Sequence, residues 1–220
     1  MKNIVILLSM VFIFSCNRNE DNLATNIIVS SSEKINKNNP YGVESGIVKY
    51  KITLSGKLMD NIIEGKGQEI VYFDKWGNKI IKEEKITKTT KTNVFNKVIN
   101  QSENIHHIQK LENEIIYKVD FKNQKINTYK KNNTELIKHN NNNLLEKYGG
   151  KKLINEVFKG YDCEVWDVSG TKQWLYKGVP LKTEVTIMGI KTTKEAISAN
   201  FNVLLTESEF NLPDYPIIKE

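Results

Sequence analysis

Few residues in this chain are of a type and spacing that could do chemistry. Cys16 and Cys163 are its two thiols, and His106, His107 and His139 are its three imidazoles. Cys16 stands behind an apolar run, Ile4 to Phe14, which only Ser9 interrupts and Lys2 precedes with a positive charge. Such a run makes a helix of about 16 Å at ~1.5 Å per residue, against ~30 Å for a hydrocarbon core. It has the length of a secretory signal core and is too short to span a bilayer. If Cys16 is modified, Cys163 has no partner, and a lone thiol in an oxidising compartment is tolerated when buried as a small hydrophobe. The competing readings are a Cys16–Cys163 disulfide and an ordinary cleaved signal in which Cys16 falls by chance.

The remaining candidates for catalysis fall away on geometry. His106 and His107 are adjacent, and neighbours in a strand point to opposite faces, so the pair cannot share a metal by itself. Gly65-Lys66-Gly67 lacks the helix that a phosphate loop requires, and no Gly-x-Ser-x-Gly elbow occurs. Glu83-Glu84 lies in a lysine-rich polar stretch and reads as a solvated face. No catalytic residue, metal site or cofactor is predicted, and the chain reads as a non-enzyme. Its formal charge is +6, yet it holds a single arginine, Arg18. Nucleic-acid binders favour the bidentate arginine fork and aromatic stacking platforms. Here Lys85, Lys88, Lys91 and Lys97 alternate with threonine instead, so no nucleic-acid partner is expected.

The elements around these residues follow a period of two. In Ile47–Ser55, Val48, Tyr50, Ile52 and Leu54 share one face while Lys49, Lys51 and Thr53 take the other, the pattern of a half-wet strand. Glu69–Asp74, Lys79–Lys91, Asn104–Lys110, Glu114–Lys122 and Lys125–Lys130 continue it. Tyr161–Val168, Lys172–Lys177, Val179–Met188 and Lys191–Val203 complete it, with glycines at the corners. Leu144–Tyr148 reads as a short helix. Leu153, Ile154, Val157 and Phe158 have helical spacing, although Val157–Val168 also reads as one strand. The expectation is a mainly β chain: a curved antiparallel sheet, an unclosed β-barrel, of about nine or ten strands with one or two short helices. Residues 1–15 form the signal, 16–42 a polar flexible tether, and 43–220 the folded domain. The dry side of so wide a sheet exceeds what short helices cover. A groove lined by Val48, Tyr50, Ile52, Tyr117, Val185 and Ile187 is therefore expected to take an apolar ligand.

Two resemblances sharpen this reading. Ile13-Phe14-Ser15-Cys16 resembles the lipobox of bacterial lipoproteins. That resemblance implies cleavage after Ser15, diacylation of the Cys16 thiol with palmitate-type chains, and acylation of the new amino terminus. The membrane is then a partner through an N-terminal lipid anchor, with the domain in the periplasm of the cell envelope. Asn17, in place of the aspartate associated with inner-membrane retention, favours the outer membrane. Gly160-Tyr161-Asp162-Cys163-Glu164-Val165-Trp166 and Trp174-Leu175-Tyr176-Lys177-Gly178-Val179-Pro180-Leu181-Lys182 resemble small bacterial envelope proteins. These are in turn similar to the LolA-like lipoprotein-carrier superfamily, which implies an unclosed barrel with a cavity for acyl chains. A soluble carrier is not itself anchored, so the resemblance implies a tethered lipid-binding role. The alternative is a non-catalytic scaffold module that binds another envelope protein.

Overall fold

Alternating apolar and charged residues leave the chain one way to bury its dry faces, which is to pair strand on strand. In the computed structural model, residues 39–95, 97–130, 145–146 and 149–219 are described. The expected signal 1–15, the expected lipid attachment at Cys16, most of the expected tether 16–42 and residues 131–144 lie outside the described residues.

The strands are β1 (Gly46–Leu58), β2 (Asn61–Asp74), β3 (Lys79–Val94), β4 (Lys97–Glu112), β5 (Ile115–Asp120) and β6 (Lys125–Lys130). Further along the chain come β7 (Lys151–Lys152), β8 (Glu156–Phe158), β9 (Tyr161–Val168), β10 (Thr171–Tyr176), β11 (Val179–Ile187), β12 (Ile190–Phe201) and β13 (Ile217–Lys219). They form one sheet in the order β13-β6-β5-β4-β3-β2-β1-β12-β11-β10-β9-β7, with β8 beside β9. All pairings are antiparallel except β13 on β6. The two ends of this order do not pair with each other, so the sheet is open. The mainly β, unclosed architecture is as expected, with thirteen strands where nine or ten were counted.

Two side-chain bonds reveal the curl. The Tyr50 hydroxyl donates to the Pro180 carbonyl at 2.8 Å, reaching from β1 over β12 to β11. The Tyr161 hydroxyl donates to the Ala199 carbonyl at 2.9 Å, reaching from β9 to β12 over two intervening strands. Only a strongly bent sheet brings non-neighbours this close. Register shifts at Lys49/Tyr50 and at Trp174/Leu175 supply the bends, as β-bulges do elsewhere.

The core sits inside this bend at one end. Val48, Tyr50, Phe73, Cys163, Val165, Trp174, Val179, Leu181 and Ala196 pack into one cluster. Tyr41, placed in the tether on sequence grounds, joins that cluster, and its amide donates to the Trp76 carbonyl at 3.0 Å. A smaller cluster joins Leu145, Trp166 and Leu175. Leu145 and Glu146, the described part of the expected helix Leu144–Tyr148, are helical. The second expected helix is corrected. Glu156–Phe158 pairs with Tyr161–Cys163 as a hairpin, and Ile154 is 88% exposed. Apolar residues at helical spacing had no dry surface to meet, and Lys159-Gly160, both at positive φ, turns the chain back instead. The other helical segments are 3-10 turns at Lys75–Gly77 and Glu207–Phe210. No helix among the described residues is long and apolar enough to cross a membrane.

The C-terminal segment lies on the outer face. Buried Lys79 pairs with Glu112 at 3.2 Å and with Glu207, and its ammonium stands 4.4 Å from the Phe210 ring centroid. Beyond it, β13 closes the edge at β6, and Thr128 Oγ1 donates to the Ile218 carbonyl at 3.3 Å.

Candidate functional site

Strand register decides which residues face the inside of the bend. Val48, Tyr50 and Ile52 of β1 stand beside Val71, Glu69 and Gly67 of β2 and Ala199, Ala196 and Lys194 of β12. The same face continues through Ile80 and Lys82 of β3, Leu111 and Gln109 of β4, and Ile116 and Lys118 of β5.

A cavity of about 170 Å³ lies on this face, walled by Tyr41, Tyr50, Val71, Phe73, Ile80, Leu111, Ile116 and Val179. Glu69, Lys82, Gln109 and Lys194 bound it on its polar side. A second hollow of about 340 Å³ shares Glu69, Lys82 and Gln109, and adds Glu84, His107 and Lys118. The two form an apolar chamber opening into a charged trough. Small-molecule sites usually enclose ~300–1,000 Å³, so the chamber reaches that class only together with the trough.

Charge at the boundary is organised by Glu69. It is only 4% exposed, and Lys194 Nζ donates to it at 2.8 Å. A carboxylate buried this far needs such a partner. Burial pulls the Lys82 pKa below the usual lysine value, with Glu69 opposing the shift. The Lys82 side chain still meets water. Burial also raises the Tyr41 and Tyr50 hydroxyls well above the usual tyrosine value, and Glu69 adds to both shifts. Both phenols therefore remain neutral donors. The chamber thus joins an apolar wall and neutral hydroxyls to lysines and Glu69 at its rim.

Of the residues expected to line the groove, Val48, Tyr50 and Ile52 are buried on the inner face, and Tyr50 borders the chamber. Val185 and Ile187 share that face by register but lie towards the hairpin end, where Ile187 is 62% exposed. Tyr117 is corrected: it pairs with Lys110 on the opposite face, and its neighbour Ile116 points in. Alternation from Ile115 to Phe121 gives a single apolar set, Ile115, Tyr117, Val119 and Phe121, yet pairing with Leu111 turns the other set, Ile116 and Lys118, inward. Sequence reasoning missed Glu69, Lys82 and Lys194, because a charge inside an apolar face has no local signature.

The other candidates resolve as structure. Cys163 is buried and free, with its thiol donating to the Tyr161 carbonyl at 3.5 Å. His106 and His107 point to opposite faces. His106 Nε2 lies 2.8 Å from Glu83 and its ring stacks on Phe121, while His107 borders the trough. No group of three or more metal-ligating side chains occurs among the described residues. A larger hollow of about 630 Å³ on the outer side runs along Lys49, Lys66, Gln68, Lys85 and His106. Ile70, Ile86, Ile105 and Ile197 stand among these polar side chains, but the hollow is more open to water than the inner chamber and encloses an acyl chain less.

No protein-family model matches the sequence, and no curated protein matches it. Solved structures do resemble the fold. An uncharacterized conserved protein from Thermus thermophilus is 8% identical at a TM-score of 0.43, over 79% of this chain and 91% of that one. PNGF-II is 15% identical at 0.38, over 79% of this chain and 31% of that one. A domain assigned as an outer membrane lipoprotein-sorting protein from Vibrio parahaemolyticus is 14% identical at 0.27, over 76% and 89%. At such scores none of these likenesses bears functional weight, and the functional reading rests on the residues of the inner face.

Proposed function

We propose that this chain is a non-catalytic, membrane-anchored envelope lipoprotein that holds an apolar ligand, a lipid or acyl chain, on the concave face of its sheet. The observation that carries this reading is the chamber. Its walls are the side chains of Val71, Phe73, Ile80, Leu111, Ile116 and Val179, and its rim carries Lys82 and Lys194. An acyl chain laid against the apolar walls displaces water there with a gain of roughly 25 cal/mol per Å² of apolar surface removed from water. The rim lysines suit a carboxylate or phosphate headgroup left in the trough. The anchor is read from Ile13-Phe14-Ser15-Cys16, and an envelope location, with the outer membrane favoured, follows from the same residues.

A second reading has an observation of its own. The bend is solidly packed around Val48, Phe73 and Leu181, and the chamber alone is small. Both features suit a scaffold module that binds another envelope protein. Native mass spectrometry of protein purified from envelopes separates the two. The lipid reading expects a mature chain starting at acylated Cys16 and carrying co-purified lipid that dissociates on activation. An acylated chain free of bound lipid under mild extraction contradicts ligand binding and favours the scaffold. A mature chain that starts elsewhere contradicts the anchor.

A further inference from the structure

Three long hairpins end at the same edge of the molecule. Their turns carry Met59-Asp60 between β1 and β2, Phe95 between β3 and β4, and Met188-Gly189 between β11 and β12. Their order in the sheet is β11-β12, β1-β2, β3-β4, without a gap. Met59, Phe95 and Met188 are 85%, 97% and 78% exposed. Each sits in the left-handed region, at φ 53°, 47° and 49°. That region costs a residue with a side chain of order 1 kcal/mol or more and ordinarily selects glycine or asparagine. Other turns of this protein put Asn113, Gln124, Lys159, Ser169 and Lys177 there. A large apolar side chain at a strained, solvent-facing tip gains nothing from folding, and here it occurs three times at one end.

The tips are staggered in step. Gly56 pairs with Ile190, and Met59 lies three residues beyond Gly56. Asn61 pairs with Thr92, and Phe95 lies three residues beyond Thr92. Met188 and Met59 themselves stand one residue past the level of Ile190 and of Asn61, the last paired positions of their hairpins. Each step between tips is thus two residues, roughly 7 Å at ~3.3 Å per residue, and adjacent hairpins are two strands, roughly 9–10 Å, apart. The three tips therefore advance in equal steps along the sheet order, and three points always share a plane that one flat surface can meet. Close packing fixes the step: a Cβ on Gly56 would stand 2.2 Å from the Gly189 carbonyl oxygen. Lys57, Lys97 and Lys191 flank the tips; Asp60 lies among them, and Glu184 pairs with Lys191 at 3.2 Å.

We propose that these hairpin tips dock onto an anionic bilayer surface, with Met59, Phe95 and Met188 entering the acyl region and the neighbouring lysines meeting headgroup phosphates. Separate apolar knobs on protruding turns fit the acyl boundary of a bilayer better than a protein pocket. The lysine collar complements an anionic leaflet, and long lysine stems let the charge stay at headgroup level. The inference stands independently of the ligand reading, because the tips are outside the chamber.

The test is spin-label depth on vesicles of equal phosphatidylglycerol and phosphatidylcholine. It uses the full chain with Cys16→Ala to remove the competing thiol, Cys163 being buried. Labels go on Met59→Cys, Phe95→Cys and Met188→Cys, and on Asn113→Cys and Lys177→Cys as references, with circular dichroism to check folding. However the N-terminal segment meets the vesicle, each label reports its own depth. The three tip labels should gain collisions with oxygen and lose them with a water-soluble nickel complex, while the references stay aqueous. Met59→Ser and Met188→Ser together should return the label at position 95 towards its aqueous value. Tip labels as aqueous as the references on vesicle-bound protein would overturn the proposal. So would tip labels equally shielded without vesicles, which would indicate contact between proteins.

Discussion

Cys163 shows what a single position contributes. It lies in the core with Val165, and burial pushes its thiol up to about 11. At pH 8 its thiolate fraction is on the order of one in a thousand, and no path leads a bulky reagent to it. Native protein should therefore resist maleimide at this position, and labelling should appear only with unfolding. Cys163→Ala should cost about 1 kcal/mol in denaturant melts. Fast native labelling would show that the core around β9 opens. Burial of this residue was legible in the sequence because Val165 shares its strand face by simple alternation. The buried charge of Glu69 was not, since its partner Lys194 is 125 residues away and only the β1–β12 pairing brings them together.

Among the elements, the C-terminal segment is anchored at two places. Phe210 is almost fully buried beside Lys79, and β13 adds three residues to the edge. Phe210→Ala should cost about 3–5 kcal/mol and, by hydrogen exchange, deprotect Ile126 to Thr128, which β13 covers. Deprotection spread evenly over β1 and β2 would argue that this segment is no separate unit. Acid should weaken the same region. Lys110, and then Lys79, hold the Glu112 carboxyl below its ordinary value of 4.5. A folded-state pKa depressed in this way stabilises above the unfolded value and loses that contribution as pH falls through the folded one. Stability should thus decline below about pH 4.5, and Glu112→Gln should flatten the decline. Long strands with clean alternation, such as Ile47–Ser55 and Val179–Met188, were readable in advance. The start of β2 was not, because Gly65 and Gly67 interrupt its pattern, and the first half of β4 is nearly all exposed and polar. The short β7, β8 and β13 exist only because a neighbour offers them an edge.

For the whole molecule, the central claim is that the bend of the sheet leaves a dry chamber that an acyl chain enters. Fluorescence titration of the full chain with a fatty acid carrying an environment-sensitive dye tests it most directly. The account predicts saturable, one-to-one binding. Val71→Phe puts an aromatic ring into the chamber while keeping the wall apolar, and should weaken binding by about tenfold or more. Tyr117→Ser, on the opposite face, should leave binding unchanged within twofold. Linear, unsaturable uptake, or saturable binding that Val71→Phe leaves intact in a folded protein, would contradict the claim.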